Sequence, residues 1–511
     1  MRVTLIYAGI VGKGFDSVGK GMDSGWISHG LCHLSACTKK AGFEVDLIDL
    51  RALQGWDHFR SEIASRRPQV CGLTMMSVDF NPVMRCIDLI KEVDSSIVTV
   101  VGGPHPTLVA DEVASNRNVD YIITHEGEIT FVKLLQDLQA ASGVGGRGSG
   151  DRDQTTALRG KQLAVSLQPS ATGPSTLNPQ PSTLNPQPSA LILRGEAPNL
   201  DELPYSDRGL FLDEWRKFGY TLNSPEVPLA NLPVPFVTII AGRGCIYNCS
   251  FCQPAEKRIF GAKVRRRSVA NVIGELENLQ DKYQFNSLMI HDDCLTEDRD
   301  WVKEFCHAYR EHGFKQPFWC QSRADLIVRY EDMVELLVGA GLKGFFIGFE
   351  SGSDRILKFL RKGTTAAQNV QAGVVCRRHG IRIWANYMLG LPTETREEIK
   401  ETIAMLKSID PDFYSPAFYT PHPGSDLFDY CQAHDLSLIT DHDSYRRNPT
   451  EAKIKGHDLD FLVWAAVESQ RRTRLNYLKR FAREKVKRYA SPRKAVRKLR
   501  RILFGATNER T

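Results

Sequence analysis

The sequence predicts an α/β protein built as two successive parallel-sheet units, a doubly wound domain and then a partial (β/α)6 barrel, with a helical basic C-terminus. Three observations predict it. Short apolar strand-like runs alternate with helical stretches from residue 2 to about 138 and again from about 235 to 436, a pattern that builds parallel sheets covered by helices. Residues 139–194 separate the two series and are rich in Gly, Ser, Arg and Pro without apolar periodicity. In the second series every strand runs into polar residues at its C-terminal edge, as in a barrel with a single catalytic mouth. The expected boundaries are 1–138, a disordered linker over 139–194, 195–440, and a C-terminal extension over 441–511.

Composition sets the wider limits. At 511 residues the chain is long for one domain, and 42% hydrophobic with 25% charged residues is an ordinary globular balance. The net charge of +6 sits mostly at the C-terminus, so the bulk of the chain does not call for nucleic acid, and none is expected as a partner. Twelve cysteines without a regular framework suit a reducing compartment better than disulfides. Met1-Arg-Val-Thr-Leu-Ile-Tyr7 enters a strand at once, and no run of 18 apolar residues follows. A soluble, cytoplasmic protein is expected.

Arg2 to Ala8 reads as a buried strand, followed by a glycine-rich segment and a helical pattern from Trp26 to Ala41. Further strands are expected at Phe43–Leu50, Val70–Ser77, Ile97–Val101 and Tyr121–Thr124. Ligands of such sheets bind outside the C-terminal strand ends. There stand Thr74 and Ser77, then Gly102-Gly103-Pro104-His105-Pro106-Thr107, then His125-Glu126-Gly127-Glu128. Glycines permit close backbone approach, and small hydroxyls offer hydrogen bonds without bulk, which suits a nucleotide-like or tetrapyrrole-tail ligand.

Within the linker, Pro174-Ser-Thr-Leu-Asn-Pro-Gln180 repeats unchanged as Pro181-Ser-Thr-Leu-Asn-Pro-Gln187, the mark of a slipped repeat in an extended segment. The second series starts with Phe236–Ile240. It runs directly into Ala241-Gly-Arg-Gly-Cys245-Ile-Tyr-Asn-Cys249-Ser-Phe-Cys252-Gln-Pro254. Three thiolates at spacings of four and three from one short loop can hold three corners of a cubane iron–sulfur cluster, leaving one iron open. A zinc knuckle is the competing reading, but zinc wants four ligands, and His291 or a distant cysteine would have to complete the set. Strands at Ser287–Ile290, Phe318–Ser322, Gly344–Phe349, Arg382–Met388 and Phe413–Phe418 follow, with helical patterns such as Val269–Tyr283, Trp301–His312 and Arg396–Ser408 between them.

The Cys-x3-Cys-x-Phe-Cys loop resembles the signature of the radical S-adenosylmethionine (SAM) superfamily. The strand, Gly-Gly-Pro-His-Pro-Thr and His-Glu-Gly-Glu series ahead of it is similar to the cobalamin-binding domain of the cobalamin-dependent class of that superfamily. The resemblance covers roughly 1–135 and 195–440, and Leu200-Asp-Glu-Leu-Pro-Tyr205 resembles the lead-in to its barrel. It implies a Rossmann-like cobalamin domain and a radical SAM barrel. A 4Fe–4S cluster on Cys245, Cys249 and Cys252 would cleave SAM to a 5′-deoxyadenosyl radical. It implies SAM contacts at Asp292 and Asp293 (amine), Arg323 (carboxylate), Glu350 (ribose), and Asn386 with Gly390 (adenine). It also implies cobalamin contacts at Thr74, Ser77, Gly102, Gly103, His105, Thr107, Glu126 and Gly127. No Asp-x-His-x-x-Gly element follows the first strand, so cobalt is expected without a histidine from that motif.

The resemblance points to methyl transfer from methylcobalamin to an unactivated carbon of a small-molecule or lipid substrate, with an electron donor such as flavodoxin or ferredoxin. A cobalamin-dependent cyclisation or oxidation without methyl transfer is the alternative. A methylthiotransferase would need a second N-terminal cysteine triplet, which Cys32, Cys37, Cys71 and Cys86 do not form. Past Leu436, the stretches Arg471–Tyr489 and Arg493–Phe504 are strongly basic, with Leu475, Leu478, Phe481 and Val486 near helical spacing. Such a face suits either solvent or peripheral contact with an anionic membrane.

Overall fold

The structure, a computed structural model, describes residues 1–9, 15, 27–143, 190–217, 232–252, 256–445, 451–473, 476 and 478. Six strands form the first sheet: β1 (Arg2–Tyr7), β2 (Glu44–Asp49), β3 (Val70–Thr74), β4 (Val98–Gly102), β5 (Tyr121–Thr124) and β6 (Leu191–Arg194). They lie in the order β2-β1-β3-β4-β5-β6, all parallel. Alternation sends Leu5 to one face and Ile6 to the other, and each face has its own buried cluster. The strand order reverses about β1, which opens a crevice at the C-terminal ends of β1 and β3. The register pairs Tyr7 with Thr74 and Thr74 with Gly102, so these ends form one edge.

Three boundaries differ from the sequence expectation. The helix Glu128–Gly143 runs through 139–143, and Leu191–Arg194 adds a sixth strand to β5, so the linker expected over 139–194 loses both ends to the first domain. The repeated Pro174–Gln187 segment lies outside the described residues. Leu200–Tyr205, the expected lead-in, reaches the barrel, where Asp201 Oδ1 accepts from Ser268 N–H at 2.9 Å, but the stretch after it, also expected in the second domain, packs on the first. In the helix Gly209–Lys217, Leu210, Phe211, Leu212 and Trp215 bury themselves in a face of the first sheet. The Trp215 indole donates to Asp49 Oδ2 at 2.9 Å, and Arg66 reaches Glu214 Oε1 at 2.9 Å. Four large apolar groups on nine residues need apolar cover, and the first sheet's open face supplies it.

The second sheet contains β7 (Phe236–Ile239), β10 (Ser287–Ile290), β11 (Phe318–Ser322), β12 (Leu342–Glu350), β13 (Arg382–Leu389) and β14 (Phe413–Phe418), while β8 (Gly242–Arg243) and β9 (Arg265–Arg266) form a small separate ladder. The six are parallel and ordered β14-β13-β12-β11-β10-β7, the curled half-barrel expected. Helices cover its outside through one large apolar core. Inside, Phe236, Met289, Trp319 and Phe346 are buried together, with Trp384 and Phe413 stacked beside them at 5.0 Å, and close the floor. Gly344 makes room for that floor, because a Cβ there would lie 2.4 Å from the Trp319 ring.

The C-terminal extension is part barrel. Leu462, Ala465 and Ala466 of the helix Leu459–Gln470 enter the barrel's own core. Of the basic stretch beyond it, Leu478 is described and exposed, while Leu475, Phe481 and Val486 lie outside the described residues. Among the described residues, no helix is long and apolar enough to cross a membrane.

Candidate functional site

The cysteine loop is fastened at both sides before its thiols are placed. Ala241 donates its N–H to Asp292 Oδ1 at 2.7 Å, and the β8–β9 ladder pairs Gly242 with Arg266. Gly244 takes φ +94° and passes so near Lys263 that a Cβ would meet its carbonyl at 3.2 Å. Further on, Ser250 donates to the Leu360 carbonyl (2.9 Å) and accepts from Leu427 N–H (2.8 Å). Cys245, Cys249 and Cys252 are half-buried and outside any disulfide, with Cys252 N–H turned onto the Cys249 carbonyl at 3.3 Å. Burial pushes the Cys252 thiol up to about 12 and raises Cys245 as well. Such thiols ionise when a metal takes the proton's place.

Two cations face these sulfurs. Arg323 stacks on Tyr247 at 3.6 Å, donates from Nε to Asp325 Oδ1 (3.0 Å), and brings Nη1 within 3.9 Å of Cys249 Sγ. Lys362, which sequence reasoning missed, is buried, donates to Glu350 Oε1 at 2.9 Å and lies over the Phe251 ring. Glu350 ends β12 in the left-handed region at φ +61°, a conformation that costs a non-glycine residue energy and that functional sites retain. Gly348 must be glycine for this pair to exist, since a Cβ would lie 2.2 Å from Glu350 Oε1. Three soft donors from one loop, set against two buried cations, fit a negatively charged thiolate cluster better than a closed zinc site.

The other SAM candidates separate in the structure. Asp292 is committed to structure: besides the Ala241 bond, its Oδ2 accepts from Arg266 at 2.9 Å, so it braces the loop rather than meeting an amine. Asp293 faces open space and shares a hydrogen bond with Glu256. Burial raises both carboxyls, Glu256 further than Asp293. Asn386 is half-buried in mid-barrel, level with Gly348 and Ser415. Gly390 turns at φ +72°, but Glu394 Oε2 already accepts its N–H at 2.8 Å, which leaves shape rather than a donor at that position.

A cavity of about 460 Å³ joins the two domains. Thr74, Gly102, Gly103, Glu126 and Gly127 line it from the first sheet, and Gly242, Arg243, Gly244 and Asp293 from the cysteine loop and β10 end. Ser77, His105 and Thr107 are not in its lining: His105 Nδ1 is 3.1 Å from Ser77 Oγ, and Thr107 bonds the Gly103 carbonyl and His125 N–H. Glu126 also has another duty, since Arg243 Nη1 donates to its Oε2 (2.6 Å) and Arg265 to its Oε1, while Arg243 Nη2 donates to Glu128 Oε1 (2.7 Å). This ion-pair group clamps the domains around the cavity. Arg243 was visible inside the cysteine loop, but no spacing rule ties it to acids over 100 residues earlier. Gly103 lies at φ +105°, where a Cβ would meet Thr74 Oγ1 at 2.9 Å and the Met75 backbone at 3.0 Å. Gly103→Val therefore closes the cavity's sheet edge: corrinoid retained after gel filtration falls at least about tenfold, roughly 1.4 kcal/mol, while iron content is unchanged.

The comparisons with known proteins agree with this division. The B12 binding domain model matches residues 22–135, and the Radical SAM superfamily model matches residues 239–406. The chain belongs to the cobalamin-binding radical SAM proteins. Among similar proteins of this family, an uncharacterized methyltransferase of Pyrococcus horikoshii is 25% identical over 392 residues, covering 76% of this chain and 74% of its own. The anaerobic magnesium-protoporphyrin IX monomethyl ester cyclase of Rubrivivax gelatinosus is 26% identical over 432 residues, covering 84% and 69%. The fold is shared with the radical SAM methyltransferase TsrM of Kitasatospora setae, solved with tryptophan and a SAM analogue, at a TM-score of 0.57, 16% identity and coverage of 86% and 77%. As a cobalamin-binding radical SAM enzyme, the protein takes a 4Fe–4S cluster, SAM and cobalamin as cofactors.

Proposed function

We propose that this enzyme transfers a methyl group from cobalamin to an unactivated carbon of a small molecule or lipid. The observation that carries the reading is the cavity shared by the C-terminal strand ends of the cobalamin-type domain and the cysteine loop. A methyl donor on one side and a radical source on the other need such a shared space. When bound, the cluster supplies the electron that splits SAM, and cobalamin supplies the methyl group.

The chain's own residues hold and shield these groups. Cys245, Cys249 and Cys252 would hold the cluster, and Arg323 and Lys362 would balance its negative charge. Arg323 Nη1, beside Cys249, would meet the SAM carboxylate, and Asp293 its amine. Glu350, held by Lys362, and Asn386 would orient the ribose and adenine. Thr74, Gly102, Gly103 and Gly127 form the smooth edge on which cobalamin would rest. The predominance of apolar groups such as Leu31, Leu34, Phe131 and Ile259 in the lining suits an apolar substrate.

A one-electron donor of the flavodoxin or ferredoxin kind would reduce the cluster. None of the twelve cysteines is in a disulfide, which fits a reducing cytoplasm. Exposed Val463, Trp464 and Val467, next to the start of the basic stretch, would support peripheral contact with anionic lipid. The cyclase relative motivates the second reading, ring formation without methyl transfer. Anaerobic reconstitution with hydroxocobalamin, SAM and reductant tests both. We expect a retained corrinoid spectrum, 5′-deoxyadenosine, and S-adenosylhomocysteine from remethylation of cobalt. Deoxyadenosine with corrinoid but no S-adenosylhomocysteine would favour cyclisation, and deoxyadenosine without retained corrinoid would overturn cobalamin dependence.

A further inference from the structure

We propose that His105, Glu112 and His442 form a zinc site that fastens the segment after the barrel onto the cobalamin-binding domain. The three donors come from three separate elements: the short helices Pro104–Leu108 and Ala110–Ala114, and the single 3-10 turn His442–Tyr445. Their ligand atoms all lie within 4.8 Å of one another. His105 Nε2 is 3.2 Å from Glu112 Oε2, and His442 Nε2 is 3.0 Å from Glu112 Oε1. Around a tetrahedral zinc with bonds of about 2.0–2.1 Å, neighbouring donors stand about 3.3 Å apart. Both imidazole–carboxylate distances are close to that separation, and all three donors fall within 4.8 Å.

Two features favour an ion over a plain hydrogen-bonded cluster. His105 Nε2 is fully buried and, at 3.2 Å from the carboxylate, is off the line a hydrogen bond needs, so it has no hydrogen-bond partner. A lone pair in that position is left to a metal. The His105 ring is also held from behind, as metal-ligating imidazoles are, and the His442 ring is fixed by stacking. Ser77 Oγ lies 3.1 Å from His105 Nδ1, and His442 stacks on Phe80 with centroids 3.8 Å apart and planes 13° from parallel. Two imidazoles and one carboxylate suit zinc, and the exposed side of Glu112 leaves a path for the ion and a position for water.

The role is mechanical. The cavity lies between two domains, and the turn His442–Tyr445 packs against the turn Ser77–Asp79 and the helix Phe80–Val93 of the first one. Gly424, after β14, approaches Leu108 so closely that a Cβ would lie 2.7 Å from it. A zinc at His105 would tie down this same seam.

The test uses the full-length, cluster-loaded protein, dialysed anaerobically with zinc chloride, washed with a weak chelator and analysed for zinc and iron. Wild type is expected to keep one zinc per chain. Glu112→Gln, an isosteric change at a part-exposed position, and His442→Ala are expected to keep less than a tenth of that zinc, with iron unchanged in both. Protection of residues 442–445 from hydrogen exchange should rise with zinc in wild type alone. The proposal is overturned if wild type keeps no zinc above the buffer level, or if Glu112→Gln keeps as much zinc as wild type. Neither result bears on the cluster or on cobalamin, which are read separately by iron content and corrinoid absorbance.

Discussion

Cys249→Ala is expected to reduce 5′-deoxyadenosine formation to background, a loss of at least about a thousandfold or roughly 4 kcal/mol of transition-state stabilisation. The loop supplies three thiols and no fourth, so each holds one corner of the cluster and two cannot replace three. Cys249 also meets a buried cation, with Arg323 Nη1 at 3.9 Å, and Arg323 is itself fixed by Tyr247 and Asp325. Removing that sulfur leaves Arg323 and Lys362 facing a space without its negative charge. The anaerobically reconstituted variant should show lost absorbance in the visible cluster band and iron well below the wild-type content. Cys294→Ala is the control: that thiol is buried outside the loop, 3.8 Å from Thr296 Oγ1, and its loss should leave iron and deoxyadenosine near wild type. Cluster retention and turnover in Cys249→Ala would remove the basis of the functional reading.

How much of this could be read from the sequence depended on how local the determinant was. The six barrel strands follow from short apolar runs ending in polar residues, and Ser287–Ile290, Phe318–Ser322 and Phe413–Phe418 begin and end where expected. The cysteine triplet is equally local. Strand β6 was not legible, because four residues after a long irregular segment carry no periodicity, and only the exposed edge of β5 gives them a partner. The helix Gly209–Lys217 carries apolar residues, but nothing in its sequence says which sheet would cover them. The same limit applies to the site. Glu350 stood out at a strand end, but its partner Lys362 follows a turn with no motif. Asp292 and Asp293 look equivalent in sequence, yet the turn after β10 points one to Arg266 and Ala241 and the other to the cavity. His105 and Glu126 sit in the right loops, but the contacts that redirect them come from His442, Arg243 and Arg265, far along the chain.

Arg243→Met should have the second large effect, a destabilisation of about 3–5 kcal/mol at neutral pH, because it leaves buried carboxylates without their cation. Arg243 bonds Glu126 and Glu128 together, and all three are largely buried between the domains. Glu126 keeps Arg265, so Glu128 suffers most. Burial alone would raise the Glu128 carboxyl, and Arg243 more than offsets this, holding it below its ordinary value of 4.5. A carboxyl depressed in the folded state contributes stability above its unfolded value and loses it as pH falls through the folded one. In the variant burial is opposed only by a backbone hydrogen bond and by His33, and the sign reverses. The folded carboxyl then prefers its proton, so the penalty is full at alkaline pH and shrinks as pH falls towards the unfolded value. The gap in unfolding midpoint between wild type and variant should therefore narrow from pH 8 to pH 5.5, measured in urea under anaerobic conditions. Corrinoid retention should fall in parallel, since the same clamp sets the width of the cavity. A gap that stays constant with pH would mean that Arg243 acts through packing alone, and would remove the electrostatic account of how the two domains are held around their shared site.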